Sequence, residues 1–238
     1  DLGRNGSYLV MRQMEQDVNK FWTFMNERTK NKDGSINEKE SIKLAAKMMG
    51  RWPSGAPVTK FPDQDPNDAA EADDNDFGYA DNDKDGAKCP FGSHLRRCNP
   101  RDSFEDINKK QSLNLTSKHR IIRRARLYGN PFEGSPLNKN PEGEVGLLFN
   151  CFNADFARQY ELVQHTWANS PKVYQLYNDP DPIIGVRENA NMKQQQNFTI
   201  QGCPINKTIN NLQQFVTIKG GAYFFFPSIT AIRYLASL

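Results

Sequence analysis

The sequence has little cysteine and no long apolar run. Its four cysteines in 238 residues include no C-x-x-C pair. Free thiols are therefore expected, with a local Cys89–Cys98 bridge as the alternative. No apolar stretch approaches the roughly 18 residues of a membrane-spanning helix, so no membrane partner is expected. The 31 basic and 28 acidic residues nearly balance, which argues against nucleic-acid binding through global charge.

Motifs of several common enzyme classes are also missing. The sequence contains no Walker A loop, no G-x-G-x-x-G after a strand, no G-x-S-x-G and no H-E-x-x-H. Asp81–Gly86 matches the first half of a calcium loop, but Gly92 stands where a bidentate Glu is required. An acidic turn is favoured there. The sequence starts at Asp1 without an initiator Met or a signal-like segment, which predicts a processed product or a fragment and favours a cytoplasmic location.

Hydrophobic periodicity predicts an α+β chain. Helices are predicted over Glu15–Lys30, over a segment from about Glu38 to Met49, and over Ala154–Ala168. Strands are predicted over Ser7–Met14, Lys118–Tyr128, Val145–Asn153, Phe198–Ile200 and Gln214–Phe226. Ser228 would cap a short C-terminal helix. The βαββαβ order predicts a ferredoxin-like antiparallel sheet with helices on one face and a long loop insertion at about 51–117.

Two basic segments carry candidate chemistry. His94 lies in a loop rich in Pro, Gly and Asn, close to Arg97 and Arg101. Arginines beside an axial His would suit haem, whose propionates need cationic partners. A lone His is more often structural, and the residues alone leave both readings open. Arg123 shares its face of a predicted strand with Ile121, where it would need an anionic or strongly accepting partner; a solvated basic strand is the alternative.

Six segments, in order along almost the whole chain, resemble the dye-decolourising (DyP-type) haem peroxidases. They are Asn5–Gln13, Gly50–Pro57, Cys89–Arg101, His119–Gly129, Gly146–Asp155 and Phe215–Ser228. The third, CPFGSHLRRCNPR, resembles the haem-ligand motif with its His in register. The fourth, HRIIRRARLYG, resembles the distal-arginine strand. The loop insertion would therefore carry the haem ligand.

The resemblance implies that His94 is the proximal iron ligand of haem b, iron protoporphyrin IX. A ligating His normally donates its other N–H to a carboxylate or carbonyl. Asp155 is the first candidate for that partner and Glu161 the second. Arg97 and Arg101 are the candidates for propionate contacts.

On the distal side, the resemblance implies that Arg123 stabilises the negative charge formed as the O–O bond breaks. Leu147 and Phe149, on alternate positions of a buried strand, would wall the pocket. Bulky donors cannot reach a buried haem, so a surface Trp or Tyr could relay electrons. Trp167 and Tyr160 are candidates, although core packing is the better expectation for both.

Family members contain two ferredoxin-like halves, and residues 1–238 resemble only the second, haem-holding half. The family's G-x-x-D-G motif, which supplies a distal acid, does not occur here. The resemblance implies hydrogen peroxide and an organic donor such as a dye or phenol as substrates. It also implies docking to an N-terminal half. A haem-binding module without catalysis and a structural half-domain that keeps only the fold remain alternatives.

Overall fold

A computed structural model describes residues 2–72, 74–104, 107–130, 143–174, 176–187 and 196–238. Its strands are β1 Ser7–Gln16, β2 Ile122–Arg123, β3 Arg126–Tyr128, β4 Gly146–Asn153, β5 Phe198–Ile200, β6 Lys207–Ile209 and β7 Val216–Phe226. Its helices are α1 Val18–Thr29, α2 Glu38–Met49, α3 Ala69–Ala72, α4 His94–Cys98, α5 Lys109–Ser117, the π-helix α6 Ala157–Ala168, and α7 Ile229–Leu235.

The main sheet is antiparallel and has the order β2-β4-β1-β7, with β3 also paired to β4. Val10 in β1 lies opposite Cys151 in β4 and opposite Tyr223 in β7. The side chains of Val10 and Cys151 are fully buried and pack with Tyr160 of α6. This arrangement confirms the predicted α+β, ferredoxin-like architecture. We call the sheet face that carries Val10 and Cys151 the helix face.

Helix α2 begins and ends where the sequence predicts, whereas α1 begins three residues later than predicted because Glu15 and Gln16 belong to β1. Asn37 caps α2 by accepting a hydrogen bond from the Glu40 N–H at 3.1 Å. Gly50 ends α2 in the left-handed region, with φ of +90°. Phe24 and Met25 of α1 pack with Leu44 and Met48 of α2 in one core cluster.

The sequence interpretation missed two elements. Helix α5 is polar and has only two buried residues, so it lacks the apolar stripe that reveals a helix. It begins at a capping box between Asn108 and Gln111. Strand β5 does not join the main sheet but pairs with the unpredicted β6, and its Phe198 packs into the α1–α2 core. The predicted strand over Lys118–Tyr128 is two short strands.

Further predictions concern the cysteines, one turn region and membrane-spanning helices. All four cysteines are free thiols in the structure, as favoured above. The Gly, Pro and Asn residues from Gly129 to Gly143 predict a turn region, most of which lies outside the described residues. Within the described ranges, no helix combines the length and the apolar character that crossing a membrane would require.

Gly50 offers a test of how tightly α2 meets α4. A Cβ there would lie 2.6 Å from the Leu95 Cβ, whereas one at Gly34 would meet nothing within 4 Å. Both glycines have positive φ, so Ala at either site costs about 1–2 kcal/mol of strain. Gly50→Ala should lose about 1–3 kcal/mol more through overpacking. Urea unfolding of both variants measures the difference, and equal losses would contradict this close contact.

Candidate functional site

His94 is the first residue of the short helix α4. Ser93 caps this helix, with its side-chain oxygen accepting from the Arg96 N–H at 3.4 Å. The Ser93 hydroxyl also lies 3.0 Å from the Cys89 sulfur. The loop and the helix therefore fix the backbone that carries His94, while its side chain remains 21% exposed.

The imidazole of His94 is held by a buried carboxylate. Its Nδ1 lies 2.9 Å from Oδ2 of Asp181, whose side chain is fully buried. The other carboxylate oxygen accepts the N–H groups of Ile183 and Ile184, each at 2.9 Å. The backbone N–H of Asp181 donates to the Ala168 carbonyl at 2.7 Å. With Nδ1 committed to Asp181, Nε2 is the ring nitrogen left for a ligand.

The two groups shift each other's pKa in opposite directions. Burial by itself lowers the pKa of His94, but the negative charge of the Asp181 carboxylate and its hydrogen bond to the ring raise the pKa well above its ordinary value. Burial by itself raises the pKa of Asp181, but His94 and the two backbone N–H groups lower it overall. The pair therefore favours a carboxylate that faces a basic imidazole.

The expected hydrogen-bond partners Asp155 and Glu161 are wrong. Asp155 accepts the Arg158 N–H at 3.0 Å in the first turn of α6. The Glu161 side chain interacts with Tyr223. Asp181 takes the position at His94 instead, across a sequence separation of 87 residues. No local pattern marks such a contact, so the sequence interpretation missed Asp181.

Arg97 is fixed inside the protein. Its side chain is 1% exposed, and its guanidinium donates to the carbonyls of Asp179 at 2.9 Å, Ala168 at 3.3 Å and Ser170. It ties α4 to the segment that leads to Asp181. The expected propionate contact does not fit this geometry, because the guanidinium points at backbone carbonyls.

Arg101 has a comparable structural role. It donates to the carbonyls of Asn75 at 2.8 Å and Phe77 at 3.0 Å. Its guanidinium carbon also lies 4.0 Å from the centre of the Phe77 ring. Arg101 therefore holds the 75–77 loop through one nitrogen of its guanidinium, and its contact with a propionate stays a prediction.

The three expected pocket residues of the sheet share the helix face. Arg123 lies opposite Cys151 in the β2–β4 ladder, and residues 147, 149 and 151 alternate onto one side of β4. The Phe149 ring lies 6.2 Å from that of Tyr160 on α6. Arg123 is exposed, and its guanidinium has no hydrogen-bond or ion-pair partner within the described part of the chain. It is therefore a cation that remains available to a ligand.

Helix α6 lies in contact with both groups of predicted site residues. This helix contacts both β4, which carries Leu147 and Phe149, and α4, which carries His94. Tyr160 of α6 is buried in the core, whereas Trp167 is only partly buried. Packing in the core, which the sequence favours for both residues, therefore describes Tyr160 better than Trp167.

Comparison with known proteins gives the family context. No family model matches the chain. "Multifunctional dye peroxidase DyP2" of Amycolatopsis sp. is 34% identical over 239 residues, covering 97% of this chain and 49% of that protein. The crystal structure of a DyP-type peroxidase from Anabaena sp. has a TM-score of 0.77 and 34% identity, covering 97% of this chain and 46% of that one.

A dye-decolorizing peroxidase solved with 2,6-dimethoxyphenol has a TM-score of 0.73 and 28% identity, covering 96% of this chain and 51% of that one. The chain is thus a homologue of the DyP-type peroxidases along almost its whole length. It spans about half the length of the relatives that it matches.

The His94–Asp181 pair predicts a pH-dependent contribution to folding stability. In the haem-free chain, folded His94 holds its proton more tightly than unfolded His, whose pKa is about 6.5. The stabilisation is complete below about pH 6.5 and is lost as pH rises through the raised pKa of the folded state. The free energy of unfolding in urea should therefore fall with rising pH more steeply in wild type than in Asp181→Asn. Parallel pH profiles would contradict the coupling.

Proposed function

We propose that this chain is the haem-binding half of a DyP-type peroxidase, which uses hydrogen peroxide to oxidise organic donors such as dyes and phenols. The observation that carries the proposal is the buried Asp181 carboxylate at Nδ1 of His94. A ligating His at a metal site commonly donates its other N–H to a carboxylate, which orients the ring and raises its basicity. The similarity to DyP-type peroxidases supports the same reading.

The cofactor that we propose is haem b. His94 would hold it through Nε2, with Leu147 and Phe149 as apolar wall residues. When bound, haem supplies the redox-active iron at which peroxide is reduced by two electrons to two waters, while two donor molecules lose one electron each. Arg123 would place a permanent positive charge where the breaking O–O bond develops negative charge. Asp181 would keep the proton of His94 on Nδ1, so that Nε2 stays available.

Trp167 is the better-placed relay for donors too bulky to reach the haem. Its partly buried ring lies 5.4 Å from that of His119. The next residue, Ala168, accepts the Asp181 N–H at 2.7 Å, so hydrogen bonds connect this part of α6 to His94. Tyr160 has less access to donors because it is buried.

Haem binding tests the central assignment. Haemin titrated into the full chain should give a saturable Soret shift, and His94→Ala should abolish it because the iron loses its protein ligand. Asp181→Asn should weaken haem affinity by about 10–100-fold, the usual effect of changing the hydrogen-bond partner of a metal-ligating His. His165→Ala, an exposed position on α6, is the matched control. An unchanged titration in His94→Ala would exclude His94 as the ligand.

The rate of the reaction with hydrogen peroxide tests the proposed role of Arg123. In the haem-loaded chain, Arg123→Leu should leave haem affinity near wild type and slow the reaction with hydrogen peroxide by about 10²–10³-fold. Stopped-flow absorbance measures that rate. Arg124→Leu removes the neighbouring exposed guanidinium and should change it little. Equal effects of the two substitutions would point to general surface charge instead of a distal role.

A haem-binding module without catalysis is the second candidate. The observation that favours it is the absence of G-x-x-D-G from this sequence. Such a module would pass the haemin titration but turn over 2,6-dimethoxyphenol poorly. Turnover that rises when a G-x-x-D-G half is supplied as a separate polypeptide would favour the peroxidase. A chain that binds no haem would be a structural half-domain.

The other side of the main sheet, here called the outer face, would dock that half. Leu9, Met11, Phe152, Phe224 and Phe226 lie there by strand register, and the Phe152 and Phe226 rings are 5.1 Å apart. Met11, Phe224 and Phe226 are exposed, and contiguous exposed apolar side chains mark interfaces. The occupant that we propose is the N-terminal ferredoxin-like half that the resemblance to DyP-type peroxidases implies.

Two neighbouring phenylalanines test the docking surface. Phe224 is 42% exposed on the outer face, and Phe225 is 48% exposed on the helix face. Phe224→Arg should prevent association with a G-x-x-D-G half in size-exclusion light scattering, because it places a charge in an apolar interface. Phe225→Arg should not. Self-association of the chain through Phe224 would identify a second copy as the occupant and overturn this assignment.

A further inference from the structure

We propose that Cys98 is a positioning residue that tunes the axial histidine through Asp181. Its thiol would share the carboxylate oxygen to which His94 donates and so limit the electron density that reaches the imidazole. This inference rests on the proposed haem-binding function. It goes further by giving a role to a residue that takes no part in the peroxidase chemistry described above.

The geometry places the Cys98 sulfur against both members of the pair. Sγ lies 3.7 Å from Oδ2 of Asp181 and 3.7 Å from Nδ1 of His94. His94 and Cys98 are four residues apart in α4, a spacing that puts side chains on the same face of a helix. The 2.9 Å between Nδ1 and Oδ2 is the distance of a hydrogen bond between His94 and Asp181. The longer contact from the Cys98 sulfur to Oδ2 is interpreted as a weak S–H hydrogen bond to the same oxygen.

Asp181 has few lone pairs to spare. Its Oδ1 already accepts two backbone N–H groups, and Oδ2 accepts His94 with Cys98 alongside. Each additional donor spreads the carboxylate charge and weakens its pull on the His94 proton. An S–H donor is weak, so Cys98 would make a small adjustment and would not replace the main interaction.

The direction of the effect follows from ligand basicity. Without the thiol, Asp181 would accept more strongly from His94, and Nε2 would become a better electron donor. A more basic axial ligand favours ferric over ferrous iron, because stronger electron donation stabilises the higher oxidation state; the hydrogen bond at the other ring nitrogen therefore tunes the reduction potential. The Cys98 thiol would therefore keep the reduction potential of the haem iron higher than it would be in a chain that lacks this thiol.

The test uses the haem-loaded full chain. Cys98→Ala should shift the ferric–ferrous equilibrium toward ferric by about twofold to fivefold, the effect of one weak hydrogen bond. It should also raise the Fe–His stretching frequency in resonance Raman spectra. Cys98→Ser, which keeps a donor, should return both values toward wild type. Cys89→Ala is the matched control, because the Cys89 sulfur contacts Ser93 and not the pair.

Two results would overturn the role of Cys98: no shift in Cys98→Ala, or the same shift in the Ala and Ser variants. A measurement on the haem-free chain separates this inference from the proposed function. With ¹⁵N-labelled histidine, the Nδ1–H resonance of His94 should move downfield in Cys98→Ala as its bond to Asp181 strengthens. A wild-type chain that binds no haem would refute the proposed function, whereas an unmoved Nδ1–H resonance would refute the role of Cys98.

Discussion

The hydrogen bond between His94 Nδ1 and Asp181 Oδ2 is the interaction on which the site depends. It joins two segments far apart in sequence, and each is independently fixed. Ser93 caps the helix that starts at His94, and two backbone N–H groups hold the second oxygen of Asp181. A buried carboxylate without partners would be costly. With these partners it becomes a fixed negative charge at Nδ1, which leaves Nε2 as the ring nitrogen for the ligand that we propose.

Buried arginines hold the segments around α4 together through hydrogen bonds to backbone carbonyls. The segment around α4 is rich in loops, so many carbonyl groups need donors. Arg97 links α4 to the carbonyls that precede Asp181, and Arg101 holds the 75–77 loop. Arg96 pairs with the buried Asp83 at 3.0 Å and lies between aromatic rings. Arg123 contrasts with all three because it is exposed on the sheet.

Local signals predicted the regular elements well and the site only in part. The apolar spacing in α1 and α2 is a property of neighbouring residues, so the sequence reveals these helices. Helix α5 was not predicted because its residues are mostly polar. Asp155 was a wrong choice because the partner of His94 is set by tertiary packing across 87 residues. Arg97 was predicted to contact a propionate because it lies in the same motif as His94. Its guanidinium donates to backbone carbonyls of the protein instead.

The most direct test of this account is the identity of the axial ligand in the ferric haem complex. The chain has three histidines, so labelling only histidine with ¹⁵N gives an unambiguous probe. Electron–nuclear double resonance should detect one strongly coupled axial ¹⁵N in wild type. The coupling should disappear in His94→Gly and reappear when ¹⁵N-imidazole is added. A coupling that persists in His94→Gly without imidazole would contradict the assignment of His94 as the iron ligand.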